Sequence, residues 1–295
     1  MYNDVRQSPQ FAHFMQDIGW HFEKVNSTYI YLRRFPFAGY FAKIPRPKLP
    51  INFDAIYSLV SKKKIFRLKI APFISNKDKN YQYYQDQLLN NHWTVDQFPF
   101  NPTTTIHLDL QQSEQQLFDN CSPAKRRGVR RAIKNGIVVK ESNHIDDFIK
   151  IRQKQYFPLG FLITREMHVL WKNFYPENAS LLFAYSIRNQ HRSQIQAIAS
   201  ICDGKPIAGI LLLFYNRIVY YWYASSLKIG KKLFATTLLV WEAIKLAKKR
   251  GCTIFDFEGI SDERFPKASQ SWKGFTKFKE GFGGKKIVYM ENFTR

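Results

Sequence analysis

The sequence predicts a mixed α/β (α+β) chain folded as two domains, and three observations lead there. Its 295 residues exceed what one small core organises and suit two domains of roughly 140 residues each. Short runs of β-branched and aromatic residues alternate throughout with amphipathic stretches of helical period. The second half then runs helices, four strands, one long helix and a further strand.

In the first half, Ser8-Pro9 reads as an N-cap and first helical position, followed by strands at Tyr29 to Arg34 and Phe37 to Ile44. A helix at Phe53 to Val60, a strand at Ile65 to Ile70, a helix at Gln82 to Asn90 and a strand at Thr104 to Leu108 come next. Helices at Ser113 to Asn120 and Pro123 to Asn135 follow. The second half opens with helices at Ile145 to Gln155 and Arg165 to Phe174, the latter with Thr164 as its cap. Strands are expected at Leu181 to Ile187, Ile195 to Cys202, Pro206 to Tyr215 and Ile218 to Ala224, with turns at Asp203-Gly204 and Asn216-Arg217. A long amphipathic helix, Lys232 to Arg250, leads to a strand at Thr253 to Phe257. Helix, antiparallel meander, helix, strand is the order of the Gcn5-type acetyltransferase fold.

Composition narrows the partners. A net charge of +22 predicts attraction to polyanions, whether nucleic acid, nucleotide-linked substrates or an anionic membrane surface, and does not choose among them. The start, MYNDVRQSPQ, lacks the basic-then-apolar order of a secretion signal. The longest apolar run, 206–215, is roughly half of a membrane-spanning helix, so no transmembrane segment is expected. Cys121, Cys202 and Cys252 are odd in number and lack metal-ligand spacing, which fits the reduced thiols of a cytoplasm. The histidines form no recognisable triad and no zinc cluster.

The most informative stretch is Phe255 to Gly284, FDFEGISDERFPKASQSWKGFTKFKEGFGG. Alternation places Asp256 and Glu258 on one face of the strand and Phe255 and Phe257 on the other, so that two carboxylates emerge at the carboxyl end of a buried strand. Ser271 is placed to cap a short helix bearing Lys273, Lys277 and Lys279, with Phe275, Phe278 and Phe282 packing inward. Upstream, Lys125 to Lys134 carries a stripe of Arg127, Arg130, Arg131 and Lys134, with Val129 and Ile133 inward; phosphate binding and a solvated face both suit it.

DFEGI followed by WKGFTKFKEGFGG resembles the closing motif of the FemABX family, the peptidoglycan-bridge peptidyltransferases that use aminoacyl-tRNA. QSPQFAHFMQDIGWHFEKV at 7–25, AKIPRPKLP at 42–50, KRRGVRRAIKNGIVV at 125–139 and YWYAS at 221–225 are similar to further family segments, in family order. The departures are Arg46-Pro47-Lys48 in place of R-G-P, Tyr223 in place of Gly and Glu258 where many members have Gly; the coiled-coil arm of some relatives is absent. The resemblance implies two Gcn5-type N-acyltransferase-like domains, 1–143 and 144–284, with 285–295 completing the first and Lys286 to Glu291 as the returning strand.

It also implies chemistry. An aminoacyl-tRNA ester is already activated, so the enzyme supplies positioning and a cation at the developing oxyanion, with no covalent nucleophile and no cofactor. By motif, Phe278-Lys279 is the family pair at the transfer site, Lys279 stabilising that charge. The acceptor amine must lose a proton, and Asp256, Glu258 or Asp109, the last in HLDL, could accept it. Arg165 matches a position suited to the acceptor's phosphates; Lys277 and Trp272 belong to the closing motif as substrate-binding candidates. Where acetyltransferases cradle the CoA pyrophosphate, this chain reads Leu227-Lys228-Ile229-Gly230-Lys231-Lys232, without the initial Gln/Arg and the second Gly; Lys228, Lys231 and Lys232 suit a phosphate or a tRNA end, or simply solvent. The expected partners are aminoacyl-tRNA and lipid II or UDP-MurNAc-pentapeptide, at the cytoplasmic membrane face. A CoA-dependent N-acyltransferase and a nonenzymatic RNA-binding protein are the alternatives.

Overall fold

The structure, a computed structural model, describes residues 3–186 and 204–295, which form two compact units. The first unit comprises residues 1–106, 258–276 and 286–295, and the second 107–257 and 277–285. The boundary expected at 143/144 therefore falls inside the second unit, because the chain enters the second sheet with the strand that ends at Asp109.

The strands are β1 (His21–Val25), β2 (Thr28–Phe35), β3 (Gly39–Pro45), β4 (Ile65–Ala71), β5 (Thr94–Val95), β6 (Thr104–Asp109), β7 (Ile137–Ser142), β8 (Ala179–Ser186), β9 (Ala208–Tyr215), β10 (Ile218–Ser226), β11 (Ile254–Asp256), β12 (Lys285–Val288) and β13 (Phe293–Thr294). One sheet has the order β1-β2-β3-β4-β13-β5 and the other β12-β6-β11-β10-β9-β8-β7.

In the first unit, β1, β2 and β3 form an antiparallel meander, and β3 pairs in parallel with β4. Parallel neighbours need a crossover, and the helix Phe53–Lys63 supplies it. Its start is fixed by Asn52, whose side chain accepts from the Ala55 amide, and its end by Lys64 in the left-handed region at φ 51°. Ile30, Leu32, Ile44, Ile70, Trp93 and Phe293 centre the core. The strand that returns to this sheet is Phe293–Thr294, not Lys286 to Glu291: Phe293 pairs with Ile70 and Val95, whereas Lys285–Val288 borders the second sheet.

In the second unit, β7 through β10 are an antiparallel series and β10 pairs in parallel with β11. The crossover is the helix Ala235–Lys249, which packs on β9 together with the helix Ile145–Gln155. Covered in this way, β9 reads AGILLLF as an unbroken buried run. Its hairpin to β10 turns at Asn216 and Arg217, both with positive φ, the geometry that matches strand twist in a two-residue loop.

Several sequence expectations shift for local reasons. The long helix begins at Ala235 after a separate turn, Lys228–Lys232, because Phe234 adopts φ 60° between them. Thr164 caps nothing: it ends the helix Gly160–Thr164, its hydroxyl donating to the Gly160 carbonyl, and the next helix starts at Met167. Ser271 lies in a 3-10 turn, Gln270–Trp272, that runs straight into the helix Lys273–Glu280. In the helix Pro123–Lys134, Gly128, Val129 and Ala132 face inward, which leaves Ile133 exposed. The strand expected at Ile195 to Cys202 lies outside the described residues. No helix among the described residues is long and apolar enough to cross a membrane.

Candidate active site

The short strand β11 lies between β10 and β6, with Tyr220 opposite Asp256 on one side and His107 opposite Asp256 on the other. Phe255 and Phe257 are fully buried. Their rings meet Tyr221, and Phe257 stacks on Phe282 at 5.9 Å, which in turn meets Phe278 at 5.3 Å. The result is an aromatic floor in the second unit, built from β10, β11 and the end of the helix Lys273–Glu280.

Two lysines stand on this floor. Lys279, the motif's candidate at the transfer site, is 7 % exposed, with Nζ 5.7 Å from the centre of the Tyr221 ring. The helix thus buries Lys279, while Lys277 faces solvent and Phe275 is 39 % exposed instead of packing inward. A lysine is buried only where its charge meets partners or a π face, so this placement marks the position as special. Phe278 is half-buried, and Lys125 places Nζ 3.6 Å from its ring centre and 5.2 Å from that of Phe282. Burial lowers the Lys125 ammonium to about 8 and outweighs the opposing influence of Cys121. The same burial raises the Tyr221 phenol, and it lifts the Cys121 thiol to about 11, which makes that thiol inert at neutral pH.

Gly281 makes the Lys125 contact possible. A Cβ there would lie 2.7 Å from the Lys125 Cε, so a side chain at 281 would displace the lysine from the rings. Because the folded state disfavours the ammonium, the Lys125 contribution to stability rises as pH climbs from about 8 towards the ordinary lysine value. Lys125→Met is expected to flatten that rise, read from denaturant midpoints between pH 7 and 10.

The two carboxylates of DFEGI part company. Asp256 is buried, and its Oδ2 lies 3.2 Å from His107 Nε2 on the neighbouring strand. Glu258 does not continue the alternation, because the strand ends at Asp256 and Glu258 takes φ 58°. Its Oε2 accepts from Arg6 at 2.7 Å, and Arg6 also pairs with Asp4. Burial opposes the charge on Arg6, but Glu258 and Asp4 outweigh it and hold the guanidinium above its ordinary value. The Glu258 carbonyl accepts from the Thr105 hydroxyl at 2.8 Å, which fixes the turn.

Asp109 is exposed and shapes a turn, its carboxylate accepting from the Gln111 amide at 2.9 Å. Trp272 is half-buried over Gly259, where a Cβ would come within 2.9 Å of its ring. Arg165 is exposed between two helices, and Lys228, Lys231 and Lys232 are exposed on one turn. The structure therefore gathers Phe278, Lys279 and Asp256 into the second unit, leaves Asp109, Arg165, Lys228, Lys231 and Lys232 exposed, and half-buries Trp272. His107 and Lys125 are the site residues that sequence reasoning passed over. His107 stands two residues before Asp109, where the strand period gave a signal; Lys125 was read only as part of a basic run. Among the described residues, no group of His, Cys, Asp and Glu is placed to hold a metal ion.

The loop between Glu258 and the helix is pinned in the first unit. Asp262 accepts from Thr103 Oγ1 at 2.5 Å, Thr104 Oγ1 at 2.7 Å and Arg264 Nη2 at 2.8 Å. Burial raises its carboxyl, but these donors prevail and hold it well below the ordinary carboxylate range.

The FemAB family model matches residues 184–295. The fold is similar to that of FemX (TM-score 0.77, 14 % identity, 99 % of this chain and 92 % of that one covered). It is also similar to the C-terminal domain of a putative lysylphosphatidylglycerol synthetase from Agrobacterium fabrum (0.63, 11 %, 98 % and 88 %). A tandem GNAT protein from the clavulanic acid biosynthesis pathway gives 0.54 at 9 % identity, with 92 % and 80 % covered. No curated protein sequence matches the chain. These likenesses show the fold, mixed α/β with two mixed sheets and consistent with two Gcn5-type (GNAT-like) domains. Residues 184–295 thus match the FemAB family model, and the chain shares its fold with FemX.

Proposed function

We propose that this chain is an aminoacyltransferase that moves an amino acid from aminoacyl-tRNA to the stem peptide of a peptidoglycan precursor, lipid II or UDP-MurNAc-pentapeptide, and so builds the interpeptide bridge. The observation that carries the proposal is Lys279, a buried lysine on an aromatic floor within the segment that matches the FemAB family. The acceptor amine attacks the ester carbonyl carbon; the C–N bond forms, the ester C–O bond breaks, and the tRNA 3′-terminal hydroxyl leaves with a proton. Lys279 offers an N–H donor to the oxyanion in a site from which water is largely excluded, where such a donor is worth most.

The amine must shed a proton first, since an alkyl ammonium is mostly charged at neutral pH. Asp256 beside His107 is the proposed acceptor. Glu258 is engaged by Arg6 and Asp109 by its turn, so both are assigned structural roles. Phe278, backed by Lys125, positions the reacting groups. Arg165, Lys228, Lys231, Lys232 and Lys277 offer exposed cations for precursor phosphates and the tRNA acceptor end, and Trp272 a ring face. The donor is a co-substrate, and no resident cofactor is invoked. The precursors place the reaction in the cytoplasm, at the inner face of the membrane when the acceptor is lipid-linked.

The Gcn5-type fold favours a second reading, a CoA-dependent N-acyltransferase. Gly230, the one glycine left in the pyrophosphate loop, argues against it: a Cβ there would lie 2.5 Å from Ser226 Oγ and 2.7 Å from the Ile207 carbonyl, so packing alone requires the glycine. Binding separates the readings. Charged tRNA is expected to bind more tightly than deacylated tRNA at fixed salt, and calorimetry with acetyl-CoA to give no micromolar binding. Equal affinity for both tRNAs would favour a plain RNA-binding protein, and acetyl-CoA binding the second reading.

A further inference from the structure

The segment from Tyr156 to Ile163, YFPLGFLI, is folded inside out. In the helix Gly160–Thr164 the residues turned inward are Gly160 and Thr164, one turn apart, while Phe161, Leu162 and Ile163 face outward. Phe157 is 85 % exposed, Phe161 72 %, Leu162 67 % and Leu159 63 %. A helix that packs against its own domain does the reverse, burying its apolar stripe. The inward side is nonetheless built. A Cβ at Gly160 would meet the Gln153 carbonyl at 2.4 Å, Gln153 Nε2 donates to Thr164 Oγ1 at 3.1 Å, and Thr164 is 3 % exposed. The base is locked to the helix Ile145–Gln155 by close backbone approach and hydrogen bonds, and the large side chains are held outward.

We propose that this segment is a membrane-docking wedge that inserts into the interfacial region of an anionic lipid bilayer. Charge complementarity selects that occupant. Exposed Lys154 and Arg165 flank the wedge in sequence, with Glu166 beside them, on a chain of net charge +22. An apolar tip framed by cations on a basic body is the pattern that binds lipid surfaces through combined insertion and attraction. A protein partner fits less well, because standard interfaces take about 800 Å² and 20–30 residues a side, far more than a run of eight residues presents. With no membrane-crossing helix among the described residues, such a wedge gives peripheral, reversible attachment. The proposal concerns lipid binding and stands or falls apart from the transferase reading.

The test uses the whole chain with extruded vesicles of phosphatidylcholine alone or with phosphatidylglycerol. Phe161→Trp is expected to show a blue-shifted emission on adding the phosphatidylglycerol vesicles. The triple variant Phe157→Ser/Phe161→Ser/Leu162→Ser is expected to bind them about tenfold or more weakly, with an unchanged thermal midpoint because all three side chains are exposed. An unshifted tryptophan, or a triple variant that binds as tightly as the parent, would overturn the proposal and leave charge alone as the lipid contact. A dimer in light scattering that the triple variant loses, without vesicle binding, would assign the wedge to a second copy of the chain and overturn it equally.

Discussion

Lys279→Met is expected to lower kcat for amino-acid transfer by about 10²- to 10³-fold, the loss seen when one preorganised oxyanion donor is removed. Methionine keeps an unbranched stem against Tyr221 and the floor while deleting the ammonium. The thermal midpoint should therefore move by only a few degrees, and KM for the acceptor should change little, since the lost interaction belongs to the transition state. Lys279→Arg keeps the charge but exchanges a compact donor for a planar fork, and should recover only part of the rate. A Met variant with the parent's kcat would remove Lys279 from the chemistry.

The largest stability effect is expected at Asp262, outside the aromatic floor. Asp262→Ala takes a buried carboxylate from two threonine hydroxyls, which lose that acceptor, and from Arg264, which keeps Glu291 and the Tyr289 carbonyl. Breaking a buried charged network from one side costs about 3–5 kcal/mol, or roughly 10 °C in melting temperature for a chain of this size. The pH dependence has a fixed sign. The folded carboxyl is held below its ordinary value, so its contribution is complete above the unfolded aspartate value of about 4 and is lost as pH falls below it. The gap between parent and variant, measured by urea unfolding, should be constant from pH 5 to 7 and narrow towards pH 3. A gap that widens in acid would contradict the assignment.

Much of the fold is written locally. The turn at Asn216-Arg217, the cap at Ser8-Pro9 and the helix Ile145–Gln155 stand where period and turn chemistry place them. What escaped the sequence depends on tertiary partners. Nothing local announces that Phe234 takes φ 60° and splits the long helix, or that Glu258 leaves the strand face. Its partner, Arg6, lies 252 residues away. Lys279 shows the same limit from the other side. Its motif singled it out, but only the packing of Phe257, Phe282 and Tyr221 reveals that it is buried. Asp109 and Asp256 looked equivalent as carboxylates at strand ends, and the neighbours distinguish them: a backbone amide for one, His107 for the other.

The most direct measurement is transfer of a labelled amino acid to lipid II or UDP-MurNAc-pentapeptide, with a panel of charged tRNAs supplied one at a time to the parent and to Lys279→Met. The expected result is label in the stem peptide with at least one charged tRNA, no label when the tRNA is deacylated and acetyl-CoA is supplied instead, and transfer about 10²-fold or more slower in the variant. Absence of transfer from every charged tRNA to either acceptor, with folded protein, would contradict the proposed function.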